Sequence, residues 1–249
     1  MINRVKDYLL REQYRPTIIG FFINPFFYGR YSLNNHIKKM SVLIKGEVLD
    51  VGCGSKPYQD IFSRAKNYIG LDVEQSGHNS NSKKADVFYD GIHFPFSGES
   101  FDSAVCFEVL EHVFNPEIFL GEINRVLKDG GTLLITVPFI WDEHEQPYDY
   151  ARYSSFGLKY LFNKSGFRII EHSKYLNDLR MISLLINVYF YKTFRRFFPG
   201  VIAWFFILFF TIPVNLLGLI SFLFPKNDDL YFGNIFLLKK DNPITKQPV

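Results

Sequence analysis

The stretch Val48-Leu49-Asp50-Val51-Gly52-Cys53-Gly54 constrains the fold more tightly than any other part of the chain. An apolar strand runs straight into two glycines one residue apart. Such a turn keeps its backbone bare, so a ligand can lie across the strand end, and it can aim N–H groups at a carboxylate. A second predicted strand ends in an acid, Tyr68-Ile69-Gly70-Leu71-Asp72. The spacing, about 20 residues, suits a carboxylate that accepts both hydroxyls of a ribose, its role in dinucleotide folds. These two features alone also fit a structural turn and a surface aspartate, because glycine turns recur in many α/β folds.

The rest of the chain extends the pattern. Short apolar runs at Glu47–Val51, Asn67–Asp72, Ala85–Tyr89, Asp102–Phe107, Thr132–Val137, Phe167–His172 and Tyr231–Leu238 read as strands. Between two of them, Asn115–Leu127 carries Ile118, Phe119, Ile123, Val126 and Leu127 at helical spacing, with a glycine stop at Lys128-Asp129-Gly130-Gly131. Strands alternating with helices predict a parallel sheet covered on both faces. Residues 1–45 read as amphipathic helix broken at Pro16 and Pro25, an expected N-terminal lid.

Composition narrows the partners. The net charge is only +3, from 28 Lys and Arg against 25 Asp and Glu, and no basic block stands out, so nucleic acid is not an expected partner. Cys53 and Cys106 both lie in apolar, strand-like contexts and read as buried free thiols of a reducing compartment. Met1–Leu10 carries Arg4, Lys6 and Asp7 without an apolar core or a small-residue cleavage site, so no secretory signal is expected and the cytoplasm is the expected compartment.

Four segments, taken in order, resemble one family. Leu49-Asp50-Val51-Gly52-Cys53-Gly54 resembles the first motif of class I S-adenosylmethionine-dependent methyltransferases, in their type 11 group. Phe94-Pro95-Phe96 with Ser100-Phe101-Asp102 resembles the segment before that family's fourth strand. Val109-Leu110-Glu111-His112-Val113 resembles its "LEH" segment, and Arg125–Leu133 its "RVLKPGG" turn. The likeness covers about residues 46–175. It implies a Rossmann-like, doubly wound α/β sheet of seven strands, the last antiparallel, with S-adenosyl-L-methionine as cofactor. It also implies site roles. Asp50, Gly52 and Gly54 belong to the cofactor motif, the two glycines lining the methionine moiety. Asp72 would bind the ribose, Asp90 the adenine amino group, and Glu108 would sit near the methionine end or the acceptor. The sequence departs from the family where Lys56 replaces the third glycine. That lysine either pairs with the cofactor carboxylate or faces solvent. NAD is the competing cofactor; the missing glycine and the "LEH" segment speak against it.

Methyl transfer from a sulfonium asks the protein to position an acceptor, exclude water and, for a hydroxyl, help remove a proton. The segment Pro138–Tyr153 supplies candidates and resembles the "HE-x-P-x-DY-x-RY" stretch of sugar- and envelope-associated members. His144 is the candidate general base, since imidazole titrates near neutrality, with Glu145 or Asp142 to orient it. Trp141, Glu145, Tyr148, Arg152 and Tyr153 are the candidate acceptor-binding residues: Tyr148, Tyr150 and Tyr153 to stack on a sugar, Arg152 to hold an acidic or phosphate group. An ordered lid whose polar groups pair with one another is the alternative reading. His112 is a second candidate base, or it orients the start of a helix. His36, His78, His93 and His172 form no ligand spacing, so no metal is expected.

Val201–Phe224 contains no Asp, Glu, Lys or Arg over 24 residues. As one helix it would reach about 36 Å, enough for a hydrocarbon core of about 30 Å. The predicted strand Tyr231–Leu238 must nevertheless share a sheet with Phe167–His172, so the excursion must leave and return on one side. Pro213 suggests the break: two halves, Val201–Ile212 and Val214–Phe224, forming a re-entrant or in-plane hairpin with Arg195, Arg196 and Lys226 at the headgroups, and Met181–Phe194 beside it as an amphipathic helix. A buried helical pair or an oligomer interface is the soluble alternative. The expected organisation is a helical cap (1–45), a cofactor-binding core (46–176 and 227–241) and an apolar, membrane-associated insertion (177–226). The expected function is methyl transfer to a hydroxyl of a lipid-linked glycan or other envelope precursor at the inner face of the cell membrane. A lipid-soluble acceptor such as a quinone precursor, or a non-catalytic, membrane-tethered cofactor-binding module, are the alternatives.

Overall fold

The computed structural model describes residue 8, residues 11–76 and residues 83–241. Apart from Tyr8, the signal-peptide reading of Met1–Leu10 lies outside the described residues, as does His78. The chain divides into two compact units, one of Lys38–Ser173 with the segment from Gly233 onward, the other of the residues up to Ile37 with Lys174–Phe232.

The first unit is built on seven strands: β1 (Gly46–Val51), β2 (Ala65–Val73), β3 (Val87–Tyr89), β4 (Phe101–Phe107), β5 (Leu127–Pro138), β6 (Phe167–Tyr175) and β7 (Gly233–Lys240), in the order β3-β2-β1-β4-β5-β7-β6. β1 pairs in parallel with β2 and β4, β2 with β3, and β4 with β5; β7 runs antiparallel to β5. The order reverses between β1 and β4, the switch point at which open α/β sheets bind ligands beyond their strand ends. The central strands read as continuous apolar runs because both faces are covered. Val48, Leu49, Val51, Ala104, Val105, Cys106, Leu133, Leu134 and Ile135 are all fully buried. Each large apolar side chain among them contributes about 1.5–3 kcal/mol.

The helix between β4 and β5 starts and stops for identifiable reasons. It runs Pro116–Val126, with Pro116 in its first turn, where the missing N–H costs nothing. It buries Phe119, Leu120, Ile123 and Val126 on one face, whereas Ile118 is exposed. Lys128-Asp129-Gly130-Gly131, expected to stop the helix, lies instead inside β5, with Gly130 at φ +70°. A second helix, Ser155–Lys164, is capped by Ser154, whose hydroxyl accepts the Gly157 N–H.

The other unit is helical. It contains α1 (Ile18–Ile23), most of α2 (Phe27–Met40), and the pair α5 (Arg180–Phe197) and α6 (Gly200–Gly218); the two helices of the first unit are α3 (Pro116–Val126) and α4 (Ser155–Lys164). A single-turn-type tail, Leu219–Leu223, continues α6. The expected break at Pro213 is absent: α6 runs unbroken through it. The hairpin lies earlier, turning at Phe198-Pro199 between α5 and α6, so Arg195 and Arg196 mark its tip. Rings lock the two helices together: Phe190 on Phe210 (4.4 Å), Phe194 on Phe206 (5.5 Å) and Phe198 on Phe206 (4.9 Å). Proline removes the hydrogen bond to the carbonyl of residue 209 and crowds it; Pro213 is exposed, and the helix packs inward along its opposite face.

That opposite face is the unusual one. α6 buries Ala203, Ile207, Thr211, Asn215 and Gly218, while Val201, Phe205, Phe209 and Leu217 are more than 60% exposed. Asn215 ties the unit together. Its carbonyl accepts the Tyr28 hydroxyl (2.5 Å), its Nδ2 donates to the Phe21 carbonyl (2.7 Å), and its Oδ1 accepts from Asn187 (2.9 Å). Removing one member strands buried partners, which costs about 1–3 kcal/mol. Asn215→Ala is therefore expected to lower the unfolding free energy of the full-length protein in detergent by about that amount, while the exposed Leu216→Ala stays within about 0.5 kcal/mol. Equal stabilities in a denaturant titration would show that the network holds nothing.

Candidate active site

The glycine turn and the tip of β2 are stitched together. Gly52 and Cys53 both donate their N–H groups to the Leu71 carbonyl (2.8 and 3.1 Å), and the Gly54 N–H donates to Asp72 Oδ2 (2.8 Å). Gly52 and Asp72 therefore share one crevice. Gly52 sits at φ +72°, and a Cβ there would stand 2.4 Å from Val109 Cγ2. Gly54, at φ +49°, has no heavy atom within 4 Å of where a Cβ would point. A bare turn with open space over its second glycine, beside a strand-tip carboxylate, fits a nucleoside whose amino-acid arm crosses the turn.

Several side chains near this turn already have partners. Asp72 is nearly buried, and its Oδ1 accepts from Lys83 Nζ (2.9 Å), whose side chain is 1% exposed. Lys83 was not a sequence candidate; it lies in a polar stretch that reads as loop. Lys56 neither faces solvent nor reaches towards a ligand carboxylate: its ammonium pairs with the Asp86 carboxylate, which also accepts the Gly70 N–H (2.7 Å). The backbone at Lys56 keeps a left-handed φ of +55°, the conformation that a glycine supplies without strain. Asp50 is buried on β1 and accepts the Tyr68 hydroxyl (2.8 Å); burial pushes its carboxyl up to about 7, with that hydrogen bond opposing. Asp90 is exposed and closes its own turn, accepting the N–H groups of His93 (2.7 Å) and Ile92 (2.8 Å), which hold its carboxyl below the usual range. Glu108 follows β4 in a left-handed conformation (φ +56°), its N–H shared between the Thr136 carbonyl (3.1 Å) and hydroxyl (3.2 Å). A non-glycine residue held there stores strain of the kind found at functional sites.

The segment after β5 folds back onto the "LEH" turn. Tyr150 and Ala151 donate their N–H groups to the Glu111 carbonyl (2.9 and 3.2 Å). Arg152 grips Asp149 with both terminal nitrogens (2.6 and 2.7 Å) and donates to the carbonyls of Asp142 (2.7 Å), Ala151 (2.7 Å) and Trp141 (3.4 Å). Its guanidinium thus orders the loop. Burial alone would raise the Asp149 carboxyl, but Arg152 and the His144 amide outweigh it and hold it at about 2. The loop brings His144 against His112, with their Nε2 atoms 3.2 Å apart. His144 is oriented by Asp149 Oδ2 (3.4 Å from Nδ1) and by the Asp142 carbonyl (3.2 Å). Glu145 stands beside His112 instead, its Oε1 3.8 Å from Nε2. His112, in the short turn Leu110–His112, also donates from Nδ1 to the Tyr148 carbonyl (2.9 Å); burial lowers its pKa, with Glu145 opposing. Tyr153 packs on the core and Tyr150 is exposed against Phe114. Trp141 and Tyr148 are half-buried. Glu111, fully buried beneath this cluster, was missed; its signal was an acid directly before a histidine, between the apolar Leu110 and Val113.

Residues 49–135 match a family model described as a methyltransferase domain. An O-methyltransferase of Aspergillus nomiae, rstn1, is 30% identical over 151 residues, covering 51% of this chain and 67% of that protein. The chain belongs to the S-adenosylmethionine-dependent methyltransferases. Its cofactor is S-adenosyl-L-methionine. A probable S-adenosylmethionine-dependent methyltransferase of Mycolicibacterium smegmatis is 31% identical over 97 residues, 37% of this chain and 38% of that protein. The chain likewise spans 38% and 40% of two uncharacterized Methanocaldococcus jannaschii proteins. In fold it is similar to a Haemonchus contortus phosphoethanolamine N-methyltransferase 2 in complex with S-adenosyl-L-methionine, with a TM-score of 0.56 at 19% identity over 95% of this chain and 60% of that one.

Two substitutions test the assignment. Asp72→Ala removes a carboxylate whose hydrogen bonds are worth about 1.5–3 kcal/mol each, so calorimetry with the cofactor should show affinity reduced at least about tenfold. Gly52→Ala meets both the left-handed backbone and Val109, and should abolish binding. Gly121→Ala, at an exposed helical site with nothing within 4 Å, should leave binding intact. Unchanged affinity in Asp72→Ala would remove the ribose assignment.

Proposed function

We propose that this methyltransferase acts on a hydroxyl of a lipid-linked glycan or other envelope precursor at the inner face of the cell membrane. The observation that carries the oxygen chemistry is the His112–His144 pair, two imidazoles held face to edge beyond the strand tips by a loop pinned through Arg152 and Asp149. The cofactor, when bound, supplies a methyl group on a sulfonium, a ready leaving group. Asp72 and the Gly52–Gly54 turn hold its nucleoside and amino-acid arm. His144, oriented from Nδ1, offers Nε2 to the acceptor's hydroxyl proton. Half-buried Trp141 and Tyr148, with Tyr153, exclude water and flank the acceptor. The O-methyltransferase among the relatives supports the choice of oxygen.

The membrane reading rests on α6 and its tail. Gly200–Leu223 has a mean hydropathy of 2.3, and its large apolar side chains point outward while its small and polar ones point inward. A helix exposed to water shows the reverse, and an apolar surface of this extent needs a partner. Lys192, Arg195 and Arg196 at one end of the α5–α6 hairpin and Lys226 beyond the other suit anionic headgroups. The sheet shared by β6 and β7 supports a hairpin that enters and leaves on one side of the bilayer.

Full-length protein incubated with methyl-labelled cofactor and membrane extract should label a glycan or glycolipid fraction. His144→Ala should lower kcat about 10²–10⁴-fold with cofactor affinity unchanged. Label in a quinone fraction would reassign the acceptor; cofactor binding with no product from any extract would make the chain a non-catalytic module. Separately, Phe205→Glu with Phe209→Glu should move the protein from the membrane to the soluble fraction. Undiminished membrane association in that variant sinks the α6 reading.

A further inference from the structure

Along the chain no spacing of histidines suggests a metal, but in space two of them converge with an acid. His112 Nδ1 faces the Tyr148 carbonyl (2.9 Å) and His144 Nδ1 faces the Asp142 carbonyl (3.2 Å). A carbonyl oxygen only accepts, so these contacts assign the ring proton to Nδ1 in both residues. Both Nε2 atoms then carry bare lone pairs, yet they stand 3.2 Å apart and aim at each other. Two lone pairs at that distance repel unless something positive lies between them.

A second, independent observation points the same way. Glu111 is 0% exposed, and neither of its carboxylate oxygens has a hydrogen-bond partner. Such a buried group is costly unless a cation or donor satisfies it. Its Oε1 lies 3.9 Å from His112 Nε2, and the ligand atoms of Glu111, His112 and His144 all fall within 4.8 Å of one another. Tetrahedral ligands at about 2.0–2.1 Å from a zinc ion stand roughly 3.3 Å apart; the two imidazole nitrogens already stand at that spacing (3.2 Å), and the Glu111 carboxylate, 3.9 Å from His112 Nε2, would move in by a fraction of an ångström. The outer partners of the two imidazoles, carbonyls with Asp149 behind His144, are those that metal-ligating histidines use to fix their tautomer.

We infer that Glu111, His112 and His144 bind one divalent transition-metal ion of the zinc class, with a fourth position open to the acceptor's hydroxyl. Imidazole nitrogen with a single carboxylate favours such an ion over magnesium or calcium, and two histidines, one glutamate and an open site make a catalytic rather than a structural coordination set. This rests on the hydroxyl-acceptor reading and deepens it. The acceptor oxygen binds the ion and loses its proton, which passes to Glu145 or to solvent. The resulting alkoxide forms the bond to the methyl carbon while the carbon–sulfur bond breaks and its electron pair stays on sulfur. In this form His144 Nε2 is a ligand, and the ion takes over the lowering of the hydroxyl pKa.

The test separates metal binding from turnover. Full-length protein in detergent is stripped with chelator, then titrated with cobalt(II) and with zinc(II), reading the visible cobalt spectrum and retained metal by mass spectrometry. The wild type should hold one equivalent and show the intense bands of a four-coordinate cobalt site. His112→Ala, His144→Ala and Glu111→Gln should each weaken binding at least about 100-fold, and Asp149→Asn about 10–100-fold, while cofactor affinity shows that each variant is folded. Wild-type protein that retains no metal, or a cobalt spectrum indifferent to all three ligand substitutions, overturns the site and leaves a shared proton between the imidazoles. In that event His144 remains the candidate base and turnover survives chelation, so the hydroxyl-acceptor reading stands or falls by its own labelling experiment.

Discussion

Everything in this molecule depends on the antiparallel ladder between β5 and β7. It pairs residues from Thr132 with Lys239 through to Pro138 with Gly233, and it places β7 between β5 and β6. Because β6 precedes β7 in the chain, the intervening polypeptide must depart from the sheet and return to it. The same ladder fixes the end of β5, from which the Phe139–Tyr153 segment leaves towards the "LEH" turn. One pairing thus requires the chain to leave and rejoin the sheet, and it sets the strand end from which the histidine loop starts.

The electrostatics of the sheet's ligand end are arranged around acids with different fates. Asp72 is tied to the glycine turn and to a buried ammonium, Asp50 is sequestered under a tyrosine hydroxyl, Asp149 is clamped by arginine, and Glu111 lacks a hydrogen-bond partner. The first three have partners: a turn N–H and a lysine for Asp72, a tyrosine on the adjacent strand for Asp50, an arginine three residues on for Asp149. Glu111 is the exception, and buried polar groups without partners are rare enough to ask for a reason.

The sheet was legible in the sequence because parallel central strands are apolar throughout and their ends are punctuated by glycine, Asp72 and Glu108. The seventh strand, though antiparallel, was legible because it too is buried on both faces and reads as an apolar run, and with it came the need for a returning excursion. The place of the turn in that excursion was not. Proline marks a local weakness, but whether a helix breaks there depends on packing along its other side, here through Asn215, Tyr28 and Phe21. The glycine pair after α3 likewise read as a helix stop, though it shapes the head of β5. At the site, the cofactor turn could be read from a contiguous motif, whereas the His112–His144 contact joins residues 32 apart and has no signature in spacing. Lys56, with two expected fates, takes a third: it pairs with Asp86 at the head of a strand the sequence does show, but no spacing tells that the two side chains meet.

The two sides of α6 answer to different selective demands. The inner register of Ala203, Thr211, Asn215 and Gly218 is fixed by shape: a Cβ on Gly218 would fall 2.5 Å from the Tyr28 ring. The outer side meets no such mould, and any large apolar residue serves there as well as another. On that outer side phenylalanine, leucine and isoleucine are interchangeable in shape, whereas a methyl group added at Gly218 must displace the Tyr28 ring, and with it the hydroxyl that holds the Asn215 carbonyl. A segment that looks from its composition like featureless greasy filler is therefore, on one side, among the least replaceable parts of the chain.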